Sequence, residues 1–310
     1  MLLACTLGGT VAPAAAGGRD GDHFSLPVPV GITGLPAGAG GQPISTEEPF
    51  VSRDGRYLFF NSGHLEGNKD LHYAAREAGH WVYRGEIGPS VNTPGGVQGN
   101  PTMDADGNFY FIDTTVSHMA RGGRFRPDSG TLEGLHELDF LPDRRIRPFR
   151  RLLAGNMGVE VSADGNTLYF SRATWKLNRM APVRIVASDI LLARRGHGRW
   201  TFDEAQARRL LQHVNSDDLE YAACISRDGL ELFFTRLYGA SLGEGRPRSA
   251  ILRAVRPSCQ VPFGRPVEVR SIGHDGFVEA PTLGPDEQDL YFHRKVGRKF
   301  RLFRVSRRPR

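Results

Sequence analysis

The chain has 310 residues, of which 39% are hydrophobic and 24% charged, and its formal net charge is +6. Nine Lys or Arg and no acid fall within residues 294–310, and the other residues carry 31 Lys or Arg against 34 Asp or Glu. Because the excess of basic residues is confined to this terminal segment, the distribution argues against nucleic acid as a partner. No stretch after residue 18 approaches the roughly 20 apolar residues of a transmembrane helix.

The N-terminal segment predicts export. Residues 1–18 are apolar, small and uncharged, with a cleavage pattern at Ala14–Ala16. Leu2–Cys5 also resembles a lipobox, which would make Cys5 a lipid-bearing N-terminus. We therefore expect residues 19–310 to form a single domain that is periplasmic, secreted or lipid-anchored.

One pattern then recurs five times. A short apolar run ends at a polar turn, a second run follows, and an aromatic residue lies five positions after the turn aspartate. An Asp-Gly pair between such runs predicts a β-hairpin with a type I′ turn. The turns are Asp54-Gly55, Asp106-Gly107, Asp164-Gly165, Asp228-Gly229 and the altered Asp286-Glu287, spaced 52, 58, 64 and 58 residues apart.

Weaker apolar runs after each hairpin predict four strands, a to d, per repeat. Third runs start at Leu71, Leu135, Ile190, Ile251 and Leu302, and fourth runs lie near residues 81–83, 149–152, 200–202 and 263–269. The fifth repeat lacks strand d, but residues 24–30 repeat the F-x-x-P-V-x-V pattern of residues 263–269. Repeats of this kind predict an all-β, five-bladed β-propeller whose N-terminal strand closes the last blade.

The repeat core resembles a known family. The S-x-D-G-x-x-L-x-F pattern of Ser52–Phe59 and Ser162–Tyr169 is similar to the WD-like repeat of TolB-type propellers, and so are the turns at Val91–Thr93 and Val214–Ser216. The resemblance covers about residues 24–310. It implies the propeller fold and leaves the function open, because these propellers serve as docking platforms, peptidase gates and lyases.

Candidate site residues gather at one end of the predicted ring. Strand direction places the b–c and d–a loops on one face, and the b–c loops 115–134, 174–188 and 239–248 are long. Functional residues usually occupy such loops. Acidic and amide side chains begin the inner strands, arginines stand eight residues after three turn aspartates, and histidines lie in adjoining loops: Glu48, Asn100, Glu160, Glu220, Glu279, Arg172, Arg236, Arg294, His64 and His118.

These residues support several interpretations. Arg and Glu would either pair with each other and link the blades, or converge on a carboxylate-bearing or sulfated ligand at the channel mouth. The Glu and Asn oxygens would suit Ca²⁺; otherwise no cofactor is expected. We expect a monomeric, non-catalytic module that binds a protein or glycan through its loop-walled face. The alternative is a hydrolase or lyase acting on a carbohydrate or lactone with paired carboxylates.

Overall fold

The computed structural model describes residues 24–38, 41–62, 69–88, 90–177, 184–239, 248–273 and 276–308. The predicted export signal with Cys5, and also His64, lie outside the described residues. The chain is mostly β, with 56% of the described residues in β-strands or β-bridges. No helix in the described ranges is long and apolar enough to cross a membrane.

The strands form four sheets, the largest of which joins two antiparallel meanders through one parallel bridge between Ser188 and Leu219. Counting each meander separately, we number five consecutive units along the chain. Unit 1 holds β2 (Ile32–Thr33), β3 (Glu47–Val51), β4 (Tyr57–Asn61), β5 (Leu71–Glu77) and β6 (His80–Glu86); unit 2 holds β7 (Gln98–Met103), β8 (Asn108–Asp113), β9 (Ala120–Arg126) and β10 (Thr131–Glu137). Unit 3 holds β11 (Arg145–Arg147), β12 (Leu152–Val161), β13 (Thr167–Lys176), β14 (Arg184–Gly196) and β15 (Arg199–Thr201). Unit 4 holds β16 (Leu219–Ile225), β17 (Glu231–Tyr238), β18 (Arg248–Val255) and β19 (Val267–Glu268), preceded by the helix α1 (Glu204–Leu210). Unit 5 holds β20 (Val278–Leu283), β21 (Asp289–Val296) and β22 (Lys299–Ser306), and it pairs with β1 (Val28–Pro29).

The innermost strands of the units contact one another in succession. Strands β3, β7, β12, β16 and β20 are neighbours in that order, and β20 also contacts β3. The N-terminal strand lies at the far edge of unit 5, where Val28 pairs with Arg304 and Pro29 with Phe303. The pairing that the repeated motif predicted for residues 24–30 is therefore present. Phe24, just before this strand, is buried and packs edge-on against Phe233 of unit 4.

The hairpin turns differ from the predicted type I′. In the first turn only Gly55 has a positive φ, and its N–H donates to the carbonyl of Ser52 over 2.8 Å. Asp54 Oδ1 accepts from Ser52 Oγ (2.6 Å) and from the N–H of Arg56 (3.0 Å). The side chain of Asp54 thus ties both arms of the turn, so the left-handed conformation is needed only at the glycine. Ser162-Asp164 and Ser226-Asp228 repeat this arrangement.

The assignment of strands c and d in unit 2 was wrong. Strand c is β9 (Ala120–Arg126), inside the segment expected to be a long loop, and strand d is β10. The b–c loop of this unit is therefore short. The segment Ala-Arg-Gly-Gly-Arg-Phe-Arg lacks an apolar run, because Gly122 and Gly123 face Tyr110 and Leu132 where larger side chains would clash. Close strand packing, which periodicity does not show, favours glycine here.

Candidate functional site

A cavity of about 560 Å³ opens where the five inner strands converge. Every inner strand contributes to its lining: Glu48 from β3, Gly99 and Asn100 from β7, Asn156 and Met157 from β12, Tyr221 and Ala222 from β16, and Glu279 and Ala280 from β20. We call this cavity the axial pocket. Its lining also includes Thr114 and Leu237, which lie at the b–c end of their units, so it opens on the b–c and d–a loop face.

A bulge in each inner strand shapes the pocket floor. The strand register shifts at this level in all five units. Glu48, Asn100, Ala222 and Ala280, each six residues before its turn aspartate, have φ values of 49°, 50°, 50° and 54°. A positive φ is unfavourable for residues other than glycine, so the surrounding contacts must hold these bulges.

Hydrogen bonds between neighbouring units supply such contacts. The Asn100 N–H donates to Glu48 Oε2 (2.6 Å), and the Val159 N–H donates to Asn100 Oδ1 (2.5 Å). From the other side, the Glu48 N–H donates to His293 Nδ1 (2.9 Å). Glu48 and Asn100 therefore join three adjacent inner strands through side chains that also line the pocket.

A polar cluster occupies one side of the pocket. Lys69 Nζ lies 2.9 Å from Glu47 Oε2 and 3.5 Å from Glu48 Oε1. Since His293 Nδ1 accepts the Glu48 N–H, its Nε2 carries the proton and donates to Glu279 Oε2 (3.1 Å). The Tyr221 hydroxyl donates to the other oxygen, Glu279 Oε1.

Burial and neighbouring charges determine the ionisation of this cluster. Burial opposes charge on Glu48, but Lys69 and the Asn100 N–H outweigh it and hold the pKa of Glu48 below its usual value. Burial likewise opposes charge on Lys69, yet Glu48 and Glu47 raise its pKa. Burial and the adjacent Glu279 carboxylate raise the pKa of Tyr221 well above its usual value. At neutral pH the pocket therefore presents an ionised Glu48, a charged Lys69 and a protonated Tyr221.

The rest of the wall is mostly apolar. Aromatic and aliphatic side chains come from all units but the first, and many stand near the b–c loops: Ile112, Met119, Leu153, Met157, Trp175, Leu177, Ile185, Leu237 and Phe277. An apolar wall with a few polar groups on one side is typical of pockets that bind organic ligands.

The three predicted arginines do not line the pocket. Each one instead donates to backbone carbonyls of the connection that leads into the inner strand of its own unit. The acceptors are the carbonyls of Pro142 (2.9 Å) and Asp143 (2.6 Å) for Arg172, of Val214 (2.8 Å) for Arg236, and of Ile272 for Arg294. The three arginines occupy the same repeat position because each one hydrogen-bonds to the d–a connection of its unit.

Two predicted glutamates are buried outside the pocket lining. Glu160 bonds Arg53 (3.0 Å) and Thr102 Oγ1 (2.6 Å), and burial raises its pKa although Arg53 opposes the shift. Glu220 bonds Arg236 Nε (2.6 Å) and Ser216, and burial raises its pKa as well. The expected pairing of Glu with Arg in one unit is present for Glu220 and Arg236.

Of the remaining predicted residues, Glu48, Asn100 and Glu279 line the pocket and His118 does not. His118 bridges Glu137 Oε1 (2.8 Å) and Asp143 Oδ1 (3.1 Å) in the neighbouring loops. Sequence analysis missed Lys69, Tyr221 and Trp175 and left His293 off the candidate list. Tyr221 follows Glu220 in the sequence, and His293 precedes Arg294. Because side chains alternate along a strand, Tyr221 and His293 face the axis, whereas Glu220 and Arg294 do not.

The described residues contain no group of three or more His, Cys, Asp and Glu side chains that could hold a metal ion. At the pocket the ammonium of Lys69 already lies between Glu47 and Glu48, and Asn100 Oδ1 accepts a backbone N–H. These oxygens therefore do not form a ready Ca²⁺ site, and Ca²⁺ stays a prediction from the sequence.

Comparison with known proteins supports the fold. The catalytic domain of the GH62 α-L-arabinofuranosidase of Coprinopsis cinerea matches with 12% identity and a TM-score of 0.53 over 92% of this chain and 96% of that chain. An α-L-arabinofuranosidase of Podospora anserina in complex with cellotriose matches with 11% identity and a TM-score of 0.51 over 92% and 97%. These neighbours are propellers, so the chain has a β-propeller fold.

TolB of Acinetobacter baumannii is also similar, with 12% identity and a TM-score of 0.42 over 86% of this chain. The chain spans 56% of the length of that TolB chain. No protein-family model and no curated protein matches the sequence.

Proposed function

We propose that the chain is a five-bladed β-propeller, with residues 24–30 as the outer strand of the last blade, and that it is a non-catalytic binding module. The succession of inner strands, with β20 beside β3, supports a closed ring. The ligand site is the axial pocket, and the ligand is a glycan or a segment of a partner protein inserted from the loop face.

The observation that carries this proposal is the state of the carboxylates. Paired-carboxylate hydrolysis of sugars requires one carboxylic acid with a raised pKa at the reacting bond. The carboxyls whose pKa burial raises, Glu160 and Glu220, are outside the pocket lining. Glu48 in the lining has a lowered pKa, and both oxygens of Glu279 accept hydrogen bonds. Carboxylates held in this way suit hydrogen bonding to a ligand better than proton transfer.

The apolar wall supports a ligand with an apolar face. Trp175 and Phe277 offer aromatic surface, and Glu48 and Asn100 lie among the polar groups of the same pocket. A sugar ring has one face of C–H groups that packs on aromatic side chains and hydroxyls that bond to carboxylates and amides. A partner's aliphatic or aromatic side chain would use the same wall.

Oligosaccharide binding tests the proposal. We expect neutral oligosaccharides on an array to identify a ligand whose affinity, measured by calorimetry, falls about tenfold or more in Trp175→Ala. Val255→Ser removes an exposed apolar side chain that does not line the pocket and is the control. If a ligand binds wild type and Trp175→Ala equally well, the axial pocket is not the site. If no oligosaccharide binds, a glycan is rejected as the ligand. Crosslinking of a protein partner at the pocket rim then tests whether the ligand is a segment of a partner protein.

A second candidate is a hydrolase or lyase that acts on a carbohydrate or lactone through carboxylates at the channel mouth. It is favoured by the presence of Glu48 and Glu279 in one pocket and by the arabinofuranosidases among the structures of similar fold. Incubating the bound oligosaccharides with the protein and analysing the products distinguishes the two. Cleavage that disappears in Glu279→Gln would replace the binding module with the enzyme.

We also propose that the protein is exported, which the small, apolar residues 1–18 support. N-terminal sequencing of the protein from its native host checks the export. An intact Met1 would contradict it.

A further inference from the structure

A loop at the pocket rim concentrates positive charge. Residues 143–151, here called the arginine loop, read Asp-Arg-Arg-Ile-Arg-Pro-Phe-Arg-Arg and are all exposed. The loop comprises β11, a 3-10 turn at Pro148–Arg150 and Arg151, which has a φ of 50°. Arg144 belongs to the lining of the axial pocket. The loop therefore stands at the pocket rim, on the b–c and d–a loop face.

The positive charges of the loop are not neutralised within the described chain. Arg145, Arg147, Arg150 and Arg151 form no ion pair with a described carboxylate. The one acid of the loop, Asp143, is bound by His118. Like charges held this close repel one another. An external anion would relieve this repulsion.

The same loop exposes two large apolar side chains. Phe149 is fully exposed and Ile146 is 61% exposed, the two largest exposures among the described Phe and Ile side chains. Arginines lie on both sides of Ile146, at positions 145 and 147, and two more, Arg150 and Arg151, follow Phe149. Apolar side chains among cations are the composition of segments that bind at the interface of an anionic bilayer.

The loop has a regular backbone conformation despite its exposure. Strand β11 pairs with β12 from Arg145 opposite Ala154 to Arg147 opposite Leu152. The Arg151 N–H donates to the carbonyl of Pro148 (3.1 Å), and the Arg151 carbonyl accepts from the N–H of Leu177 (2.7 Å). The side chains of Ile146 and Phe149 are thus presented by a hydrogen-bonded scaffold, which lowers the entropic cost of docking.

We propose that the arginine loop docks the protein on an anionic phospholipid surface, with Phe149 and Ile146 entering the headgroup region and the arginines binding phosphates. A bilayer fits better than a nucleic acid, because Ile146 offers no ring on which a base can stack and the loop projects from the rim. This inference does not rest on the proposed ligand of the axial pocket. It places the mouth of that pocket toward the lipid surface.

Vesicle binding tests the proposal with the full chain. Wild-type protein should sediment with vesicles of 70% phosphatidylcholine and 30% phosphatidylglycerol, should not sediment with pure phosphatidylcholine, and should be released as the salt concentration rises. Arg147→Gln with Arg150→Gln should weaken binding about 25-fold, since each arginine near such a surface contributes about a factor of five. Phe149→Ser should weaken binding while leaving its salt dependence in place.

The control is a pair of arginines on the opposite face. Arg195 and Arg199 flank the turn between β14 and β15 and are exposed. Arg195→Gln with Arg199→Gln makes the same change in net charge, so equal weakening by both pairs would show attraction by net charge alone and reject the loop as the docking site.

A tryptophan in place of Phe149 reports insertion. The emission of Phe149→Trp should shift to the blue with the anionic vesicles and should be quenched by brominated lipid. Binding without shift or quenching would reject insertion of the loop. Absence of vesicle binding, with Phe149-dependent binding to single-stranded RNA instead, would replace the membrane with a nucleic acid.

Discussion

Buried ionisable side chains in this protein fall into two classes, those that keep their charge and those that become neutral. Glu48 and Lys69 are half-buried but keep their charges, because each lies against groups of opposite charge. Among the described residues, His72 has no such partner. It is buried, stacks on Phe60 and has its Nδ1 2.9 Å from the Tyr83 hydroxyl, and burial lowers its pKa to about 4. The imidazole is therefore neutral in the native protein at neutral pH.

We predict that His72 makes the fold sensitive to acid. The unfolded chain takes up a proton near the usual His pKa of 6.5, whereas the folded chain does so only near 4. The free energy of unfolding is therefore unaffected by the titration of His72 above pH 6.5. It falls as the pH drops toward 4, by at most roughly 3 kcal/mol. His72→Phe keeps the aromatic stack and should flatten the stability curve between pH 6.5 and 4, measured by urea unfolding. His80→Gln, at an exposed position, is the control, and an unchanged slope in His72→Phe would contradict the prediction.

At the scale of elements, the a–b hairpin turn has similar hydrogen bonds in several units, but the atoms that surround it differ from unit to unit. In units 1, 3 and 4, Ser and Asp side chains tie the turn and the glycine takes the left-handed conformation. In unit 5 Glu287 takes that place with a φ of 58°. The turns also touch across units: a Cβ at Gly55 would lie 2.9 Å from Pro285 Cγ. A Cβ at Gly107 would meet no atom of another part of the chain within 4 Å.

This difference predicts that Gly→Ala lowers the free energy of unfolding by different amounts in the two turns. Gly107→Ala should destabilise the protein by about 1–2 kcal/mol, the cost of a left-handed conformation for a residue with a Cβ. Gly55→Ala should cost about 1 kcal/mol or more in addition, because the turn of unit 5 must move away from the new methyl group. Denaturant midpoints of the two variants measure the difference. Equal midpoints would show that the contact between the turns of units 1 and 5 is not tight.

At the scale of the whole molecule, the two ends of the chain meet in unit 5. Strand β1 covers the edge of β22, and Phe24 packs between Phe233 and the guanidinium of Arg307, 5.3 Å from its ring. An uncovered strand edge in a ring of units would weaken every interface that depends on that unit.

Truncation measures the value of this closure. Deleting residues 1–30 removes Phe24 and β1 but leaves β2, and we expect it to lower the melting temperature of the whole domain by several degrees. Deleting residues 1–23 leaves Phe24 and β1 in place and should melt like the full chain. If both truncations melt alike, the N-terminal strand does not stabilise the ring.

The sequence by itself determined the repeat and its local chemistry. Asp-Gly turns, apolar strand runs and the repeated motif of residues 24–30 are local signals, so the hairpins and the pairing of β1 with β22 could be predicted. Glycine-rich β9 could not, because close packing on Tyr110 and Leu132 determines it.

Only the tertiary structure decided which polar residues share the pocket. Repeat position placed Arg172, Arg236 and Arg294 at one height, but whether each side chain faces the axis or its own d–a connection depends on strand pleat and on the carbonyls nearby. Lys69 reaches Glu47 and Glu48 from a position at which its backbone pairs with Val97 of the next unit. Such contacts join residues far apart in sequence, and no periodicity records them.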